Sequence, residues 1–99
     1  MYKIWVTKSA LRHARRLPPD VRRFLVSKAK VLKEKPLAGY KLRGKLNFLY
    51  SLHLRIKGVE YRVIYEVDKK AKRIYIRYAD TRENLYRNLE AMKIKSLVK

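Results

Sequence analysis

The chain has no cysteine. Disulfides, thiolate metal sites and cysteine nucleophiles are therefore excluded. Three glycines and three prolines in 99 residues leave little room for long loops. Acidic residues are scarce, with 8 Asp and Glu against 27 Lys and Arg, a formal net charge of +19. No apolar run approaches the roughly 18–20 residues of a membrane span, so no membrane partner is expected. The opening residues, Met1-Tyr2-Lys3-Ile4-Trp5-Val6, lack the apolar core of a secretory signal. The expectation is one soluble domain over residues 1–99, located in the cytoplasm. A hydrophobic content of 47% suits a globular core and is too high for a disordered basic tail.

A charge surplus of this size makes the compact state repel itself, which points to a polyanion or an acidic partner. Nucleic acid comes first, because neutralised phosphates release condensed counterions. Heat adaptation also enriches lysine and arginine, but it raises glutamate alongside them. An anionic membrane surface fits poorly, since no segment joins a wide apolar face to a basic one over several turns.

Alternation of Tyr2, Ile4 and Val6 with Lys3, Trp5 and Thr7 predicts a first strand. Thr7 or Ser9 can cap the helix that follows, whose apolar stripe is Leu11, Ala14 and Leu17. Pro18-Pro19-Asp20 ends it and opens a second helix, where proline suits the first turn and Asp20 complements the dipole. Val21, Phe24, Leu25, Ala29 and Leu32 form its stripe, and Pro36 stops it near Glu34-Lys35. Residues 37–48 read as a connection.

Period-2 alternation then returns. Tyr50, Leu52, Leu54 and Ile56 share one face of a strand, with Ser51, His53 and Arg55 on the other. A turn at Lys57-Gly58-Val59-Glu60 leads to Tyr61, Val63, Tyr65 and Val67, opposite Arg62, Ile64 and Glu66. After Asp68–Lys72, Ile74, Ile76 and Tyr78 alternate with Arg73, Tyr75 and Arg77. A short helix from about Thr81 to Met92 closes the pattern. The fold class is α+β: the N-terminal strand and a helical hairpin packed on a mainly antiparallel four-stranded sheet, with a short C-terminal helix.

If the Tyr50 face packs on the helices, Ser51, His53, Arg55, Arg62, Tyr75 and Arg77 point the other way, onto an open basic surface. Arginine clamps phosphate bidentately, and tyrosine stacks on a base or exchanges a proton. Exposed arginines on a strand also serve simply as a solvated face. Arg62 lies mid-meander, with Glu66 its expected ordinary partner. His53 reads either as a surface residue or as a proton-transfer group. His13 falls on the polar face of the first helix. Two histidines without cysteine make a poor metal site, and none is expected.

Tyr40-Lys41-Leu42-Arg43-Gly44, Leu49-Tyr50-Ser51-Leu52-His53-Leu54-Arg55, Tyr61-Arg62-Val63-Ile64-Tyr65 and Asp80-Thr81-Arg82-Glu83-Asn84-Leu85-Tyr86-Arg87 together resemble the RelE/ParE superfamily of prokaryotic toxin–antitoxin systems. The resemblance covers most of the chain. It implies a small cytoplasmic toxin, held by a cognate antitoxin with an acidic binding segment. RelE-type members cut messenger RNA on the ribosome without a cofactor; ParE-type members share the fold and poison DNA gyrase. By this resemblance Arg62 and Arg82 stabilise phosphate charge and Tyr86 helps activate the nucleophile. Where the family commonly places strand lysines, this chain has Ser51 and His53. Lys41, Arg43, Ser51, Arg55 and Arg77 are the expected RNA-binding residues. The expected activity is metal-independent endoribonuclease cleavage by 2′-OH attack on the adjacent phosphate. The alternatives are a gyrase inhibitor without nuclease activity and a basic RNA- or ribosome-binding module without catalysis.

Overall fold

The computed structural model describes residues 1–85 and Arg87. Its elements run β1 (Lys3–Val6), α1 (Lys8–Ala14), α2 (Pro19–Ala29), β2 (Tyr40–Lys41), β3 (Leu49–Ile56), β4 (Val59–Asp68) and β5 (Arg73–Thr81). A helical turn follows at 82–85. Thr7 Oγ1 accepts the Ala10 N–H at 3.1 Å and caps α1. Pro19 and Asp20 occupy the first turn of α2, which runs on as a 3-10 turn over Lys30–Lys33. No helix among the described residues is long and apolar enough to cross a membrane.

The architecture is α+β, with the sheet order β1-β5-β4-β3-β2. β1 runs parallel to β5 and every other pair is antiparallel. The sheet has five strands rather than four. The added one, β2, comes from the connection and pairs Tyr40 with Ser51 and Lys41 with Tyr50. Two residues carry no alternation, so this strand has no periodic signal. It lies close on β3 because Gly39 lacks a side chain. A Cβ there would stand 2.8 Å from both the Ser51 carbonyl oxygen and the Tyr65 hydroxyl, while the Gly39 N–H donates to that hydroxyl at 2.9 Å. Gly39→Ala is expected to lower the thermal midpoint by about 5 °C or more, through overpacking against backbone. Differential scanning calorimetry checks this, and an unchanged midpoint would contradict the close approach.

The main core lies between the helices and one sheet face. Leu17, Val21, Leu25 and Leu32 pack there with Val63, Tyr65, Ile74 and Ile76. α1 buries Ala10, and Leu17 is buried just beyond its end, whereas Leu11, placed on the expected stripe, is 46% exposed. The hairpin between β3 and β4 turns on Lys57 and Gly58, both at positive φ (52° and 82°). This is tighter than the four-residue turn expected, and it matches the twist of the strands it joins.

The other face is only partly open, which corrects the expectation of a wholly polar surface. Leu46, Leu49, Ile64, Tyr78 and Leu85 form a second, smaller cluster, with Leu42 against it. Tyr78 belongs here and not under the hairpin. Ile64 pairs with Tyr78 and Tyr65 with Ile76, so Arg77 is an extra residue in β5. Such a bulge reverses side-chain parity beyond it. Ala79 therefore faces the helices, while Tyr78 and Asp80 share the face of Arg62.

Candidate functional site

His53 on β3 is directly opposite Arg62 on β4, and Arg62 is in turn opposite Asp80 on β5. Directly opposed residues share a face, so all three emerge on the side away from the helical hairpin. Arg55 and Glu60 form the next pair along. Glu60 is the ion-pair partner of Arg62, in place of the expected Glu66. The Arg62 Nε and Nη2 both donate to Glu60 Oε2, at 3.2 and 2.8 Å. The two side chains are 14% and 30% exposed, so the guanidinium plane is held while its edge stays within reach of solvent. Glu66 instead accepts from Arg77, whose Nε lies 3.1 Å away.

Asp80 is buried and fully engaged. It accepts from the Tyr78 hydroxyl at 3.0 Å, the Thr81 N–H at 2.7 Å and the Asn84 Nδ2 at 3.3 Å. Thr81 Oγ1 accepts the Asn84 N–H at 3.2 Å. These bonds fasten the start of the helical turn 82–85 to the sheet and bring the exposed Arg82 to the site. The Arg82 charge is felt at both His53 and Glu60.

Partial burial of the ring lowers the pKa of His53, the Arg62 charge lowers it further, Glu60 opposes them and Arg82 adds to the lowering. The imidazole is therefore mainly neutral at pH 7, the state that accepts a proton. Hydrogen bonding to Arg62 lowers the pKa of Glu60, which stays ionised. The ring of Tyr40 packs against that of His53, with centroids 4.8 Å apart and planes at 44°.

The remaining expected residues divide. Arg55 lies on the same face and donates to the Gly58 carbonyl at 3.3 Å. Arg77 is half-exposed at the bulge, held by Glu66. Arg43 is exposed, just before the 3-10 turn at Gly44–Leu46. Lys41 pairs with Tyr50 and so stands on the opposite side of the sheet edge. Ser51 is on the expected face but buried at 2% exposure, and its Oγ has no hydrogen-bond partner among the described residues. The second cluster takes over that part of the face, so Ser51 offers no surface to RNA. Tyr86 lies outside the described residues. His13, expected in solvent, packs edge-on to the Tyr78 ring with centroids 4.4 Å apart. Among the described residues no three His, Asp or Glu side chains gather to hold a metal ion. Tyr40, Glu60 and Asp80 are the site neighbours that sequence reasoning missed. Glu60 falls in the expected turn, and Asp80 follows a bulge that conceals its parity.

The profile of the ParE-like toxins of type II bacterial toxin-antitoxin systems matches residues 4–90. The chain belongs to the RelE/ParE toxin superfamily. Solved structures agree with this. The toxin-antitoxin complex RelBE2 from Mycobacterium tuberculosis contains a chain 30% identical to this one, with a TM-score of 0.70, over 82% of this chain and 98% of that one. A mutant of the E. coli toxin RelE in the free state is 27% identical with a TM-score of 0.74, over 95% and 97%. The archaeal RelE-RelB complex from Pyrococcus horikoshii gives 27% and 0.61, over 82% and 94%. A comparison with curated proteins finds no match. Within this RelE/ParE-type toxin, the cluster of His53, Arg62 and Arg82 unites a neutral proton acceptor with two cations beside it. That combination can deprotonate a hydroxyl and stabilise an anion forming next to it.

Proposed function

We propose that this toxin is an endoribonuclease that cuts messenger RNA on the ribosome in the cytoplasm, and that a cognate antitoxin holds it inactive. The pairing of His53 with Arg62 across adjacent strands is the observation that supports cleavage most directly. Neutral His53 takes the proton of a ribose 2′-OH. The 2′ oxygen attacks the adjacent phosphorus, the bond from phosphorus to the 5′ oxygen breaks, and a 2′,3′-cyclic phosphate and a free 5′-hydroxyl result. Arg62 and Arg82 carry the charge that grows on the phosphate oxygens. The departing 5′ oxygen takes up a proton from water, and Tyr86, by the family resemblance, helps His53 activate the nucleophile. Arg55 and Arg77 lie along the same surface as cations for the RNA backbone. This reaction needs no metal or organic cofactor.

Because the base must be deprotonated, cleavage falls as pH drops through the pKa of His53. That pKa is below the ordinary imidazole value, so the acid limb of kcat/KM lies below about pH 6.5. A pH–rate profile together with an NMR titration of the imidazole checks this. A limb at or above that pH would remove His53 from the role of base.

The antitoxin reading draws on the relatives solved as toxin-antitoxin complexes. It also draws on an apolar groove of about 390 Å³ between β1, α1 and α2, lined in part by Val6, Leu11 and Val26 and edged by Arg22, Lys30 and Lys33. Its shape and basic edge suit an amphipathic helix with acidic flanks. The ParE-like family description keeps a second reading in play, inhibition of gyrase without RNA cleavage. Mapping 5′ ends after addition of the toxin to translating ribosomes, in parallel with a supercoiling assay, separates the two. New mRNA ends with unaffected gyrase support the nuclease; blocked supercoiling with intact mRNA supports the inhibitor. Salt-sensitive RNA binding with neither effect would leave a binding module.

A further inference from the structure

We propose that Tyr40 is a substrate-positioning residue: its ring gives the nucleobase beside the scissile phosphate a surface to stack on, and its packing sets the plane of the His53 imidazole. This rests on the endoribonuclease reading and adds to it a wall of the cleft formed by β2.

The placement follows from the backbone. Gly39 lets the chain approach β3 closely, and its N–H is tied to the Tyr65 hydroxyl. The next residue pairs with Ser51, which puts Tyr40 on the Ser51–His53 face, diagonal to His53. A diagonal neighbour is within reach of an aromatic side chain, and the two rings meet at 4.8 Å. Tyr40 is nonetheless 68% exposed, more than any other large aromatic named among the exposed residues. It belongs to neither apolar cluster, so the core does not account for it.

Its surroundings indicate what it would meet. Arg62 and Arg55 share its face, and Arg82 acts on the same histidine. An exposed ring beside a row of guanidinium groups is the pattern that holds single-stranded nucleic acid, with phosphates on the cations and a base on the ring. Stacking tolerates any base, because each has a π-face, so Tyr40 would hold the strand in register without reading sequence. A base seated there brings its own ribose and phosphate past His53 and Arg62. The hydroxyl of Tyr40 has no part in this, so phenylalanine should replace it.

The test compares wild type, Tyr40→Phe and Tyr40→Ser on mRNA-programmed ribosomes. Thermal midpoints confirm that each variant is folded, and imidazole NMR spectra follow His53 in the free protein. Tyr40→Ser is expected to lower kcat/KM by about 5- to 150-fold, the range for losing one base–aromatic stack. It should also shift the His53 ring protons, as the neighbouring ring current disappears. Tyr40→Phe should cut within about twofold of wild type. Wild-type cleavage by a folded Tyr40→Ser overturns the proposal, as does equal damage by Tyr40→Phe, which would assign the effect to the hydroxyl. If the wild-type protein leaves mRNA intact, the endoribonuclease reading fails and this role falls with it. That outcome is distinct because it appears before any substitution is made.

Discussion

Arg62→Ala is expected to abolish mRNA cleavage and growth inhibition while the protein stays folded. Arg62 lies between His53 and Asp80 in the register of three adjacent strands. Among the described residues, no other cation is fixed so close to the histidine by strand pairing. Glu60 holds the guanidinium through Nε and Nη2. A cation already oriented before the phosphate arrives has little reorganisation left to undergo when charge builds on the oxygens, and this makes it effective in the transition state. Removal of one such donor typically costs about 10²–10³ in kcat. Lysine should rescue little, because a point charge on a flexible stem cannot copy a planar two-pronged donor. The fold should tolerate the change. Arg62 is not part of the main apolar core, and Glu60 keeps access to water. The thermal midpoint should stay within roughly 4 °C of wild type. Primer extension on translating ribosomes reads the cleavage, and scanning calorimetry reads the fold. A folded Arg62→Ala that cuts at the wild-type rate would remove Arg62 from the mechanism.

That this arginine and His53 share a face was legible from alternation alone. Tyr50, Leu52 and Leu54 on β3, and Tyr61, Val63 and Tyr65 on β4, repeat with period 2 without a break, so parity places His53 and Arg62 together. The same rule fails on β5. Ile74-Tyr75-Ile76-Arg77-Tyr78 alternates cleanly on paper, yet a bulge at Arg77 sends Tyr78 to the other face. Tyrosine is at home on a buried or a half-wet surface, so its identity gives no warning of the reversal. Ser51 misleads for a related reason. A small polar residue in a strand reads as solvent-facing, but the connecting segment contributes Leu42 and Leu46 to a second cluster on that face. Irregular chain has no period from which such cover could be read. Glu60 was hidden by the tightness of the hairpin. Two residues at positive φ suffice for the turn, so β4 begins at Val59 and Glu60 becomes a strand residue two places from Arg62.

Val26→Glu should release the toxin from its antitoxin without touching its chemistry. Val26 is 62% exposed on α2 and lines the apolar groove. Val6 and Leu11 border the same groove, at 47% and 46% exposure. The groove also takes in Val63, Ile76 and Ala79, which face the helices. It therefore lies on the opposite side of the sheet from His53 and Arg62. An apolar helix face seated there would bury the new carboxylate, and an ion pair with Arg22 or Lys30, one turn away from it, offsets only part of the desolvation. The expected loss of antitoxin affinity is about 100-fold or more, equivalent to roughly 3 kcal/mol. In the free toxin the same carboxylate stays in water, so stability should change by about 0.5 kcal/mol or less. The basic edge at Arg22, Lys30 and Lys33 adds a second signature. Binding to wild type should weaken as salt rises, because exposed charges are screened beyond a distance that shrinks with ionic strength. Isothermal titration with the cognate antitoxin measures both effects, and co-expression shows whether growth is still rescued. Wild-type affinity in Val26→Glu, with growth fully rescued, would place the antitoxin elsewhere and leave the groove without an occupant. If the variant instead loses both its antitoxin and its cleavage activity, the two faces are coupled. In that case the antitoxin acts on the cleft through the sheet and not by steric cover alone.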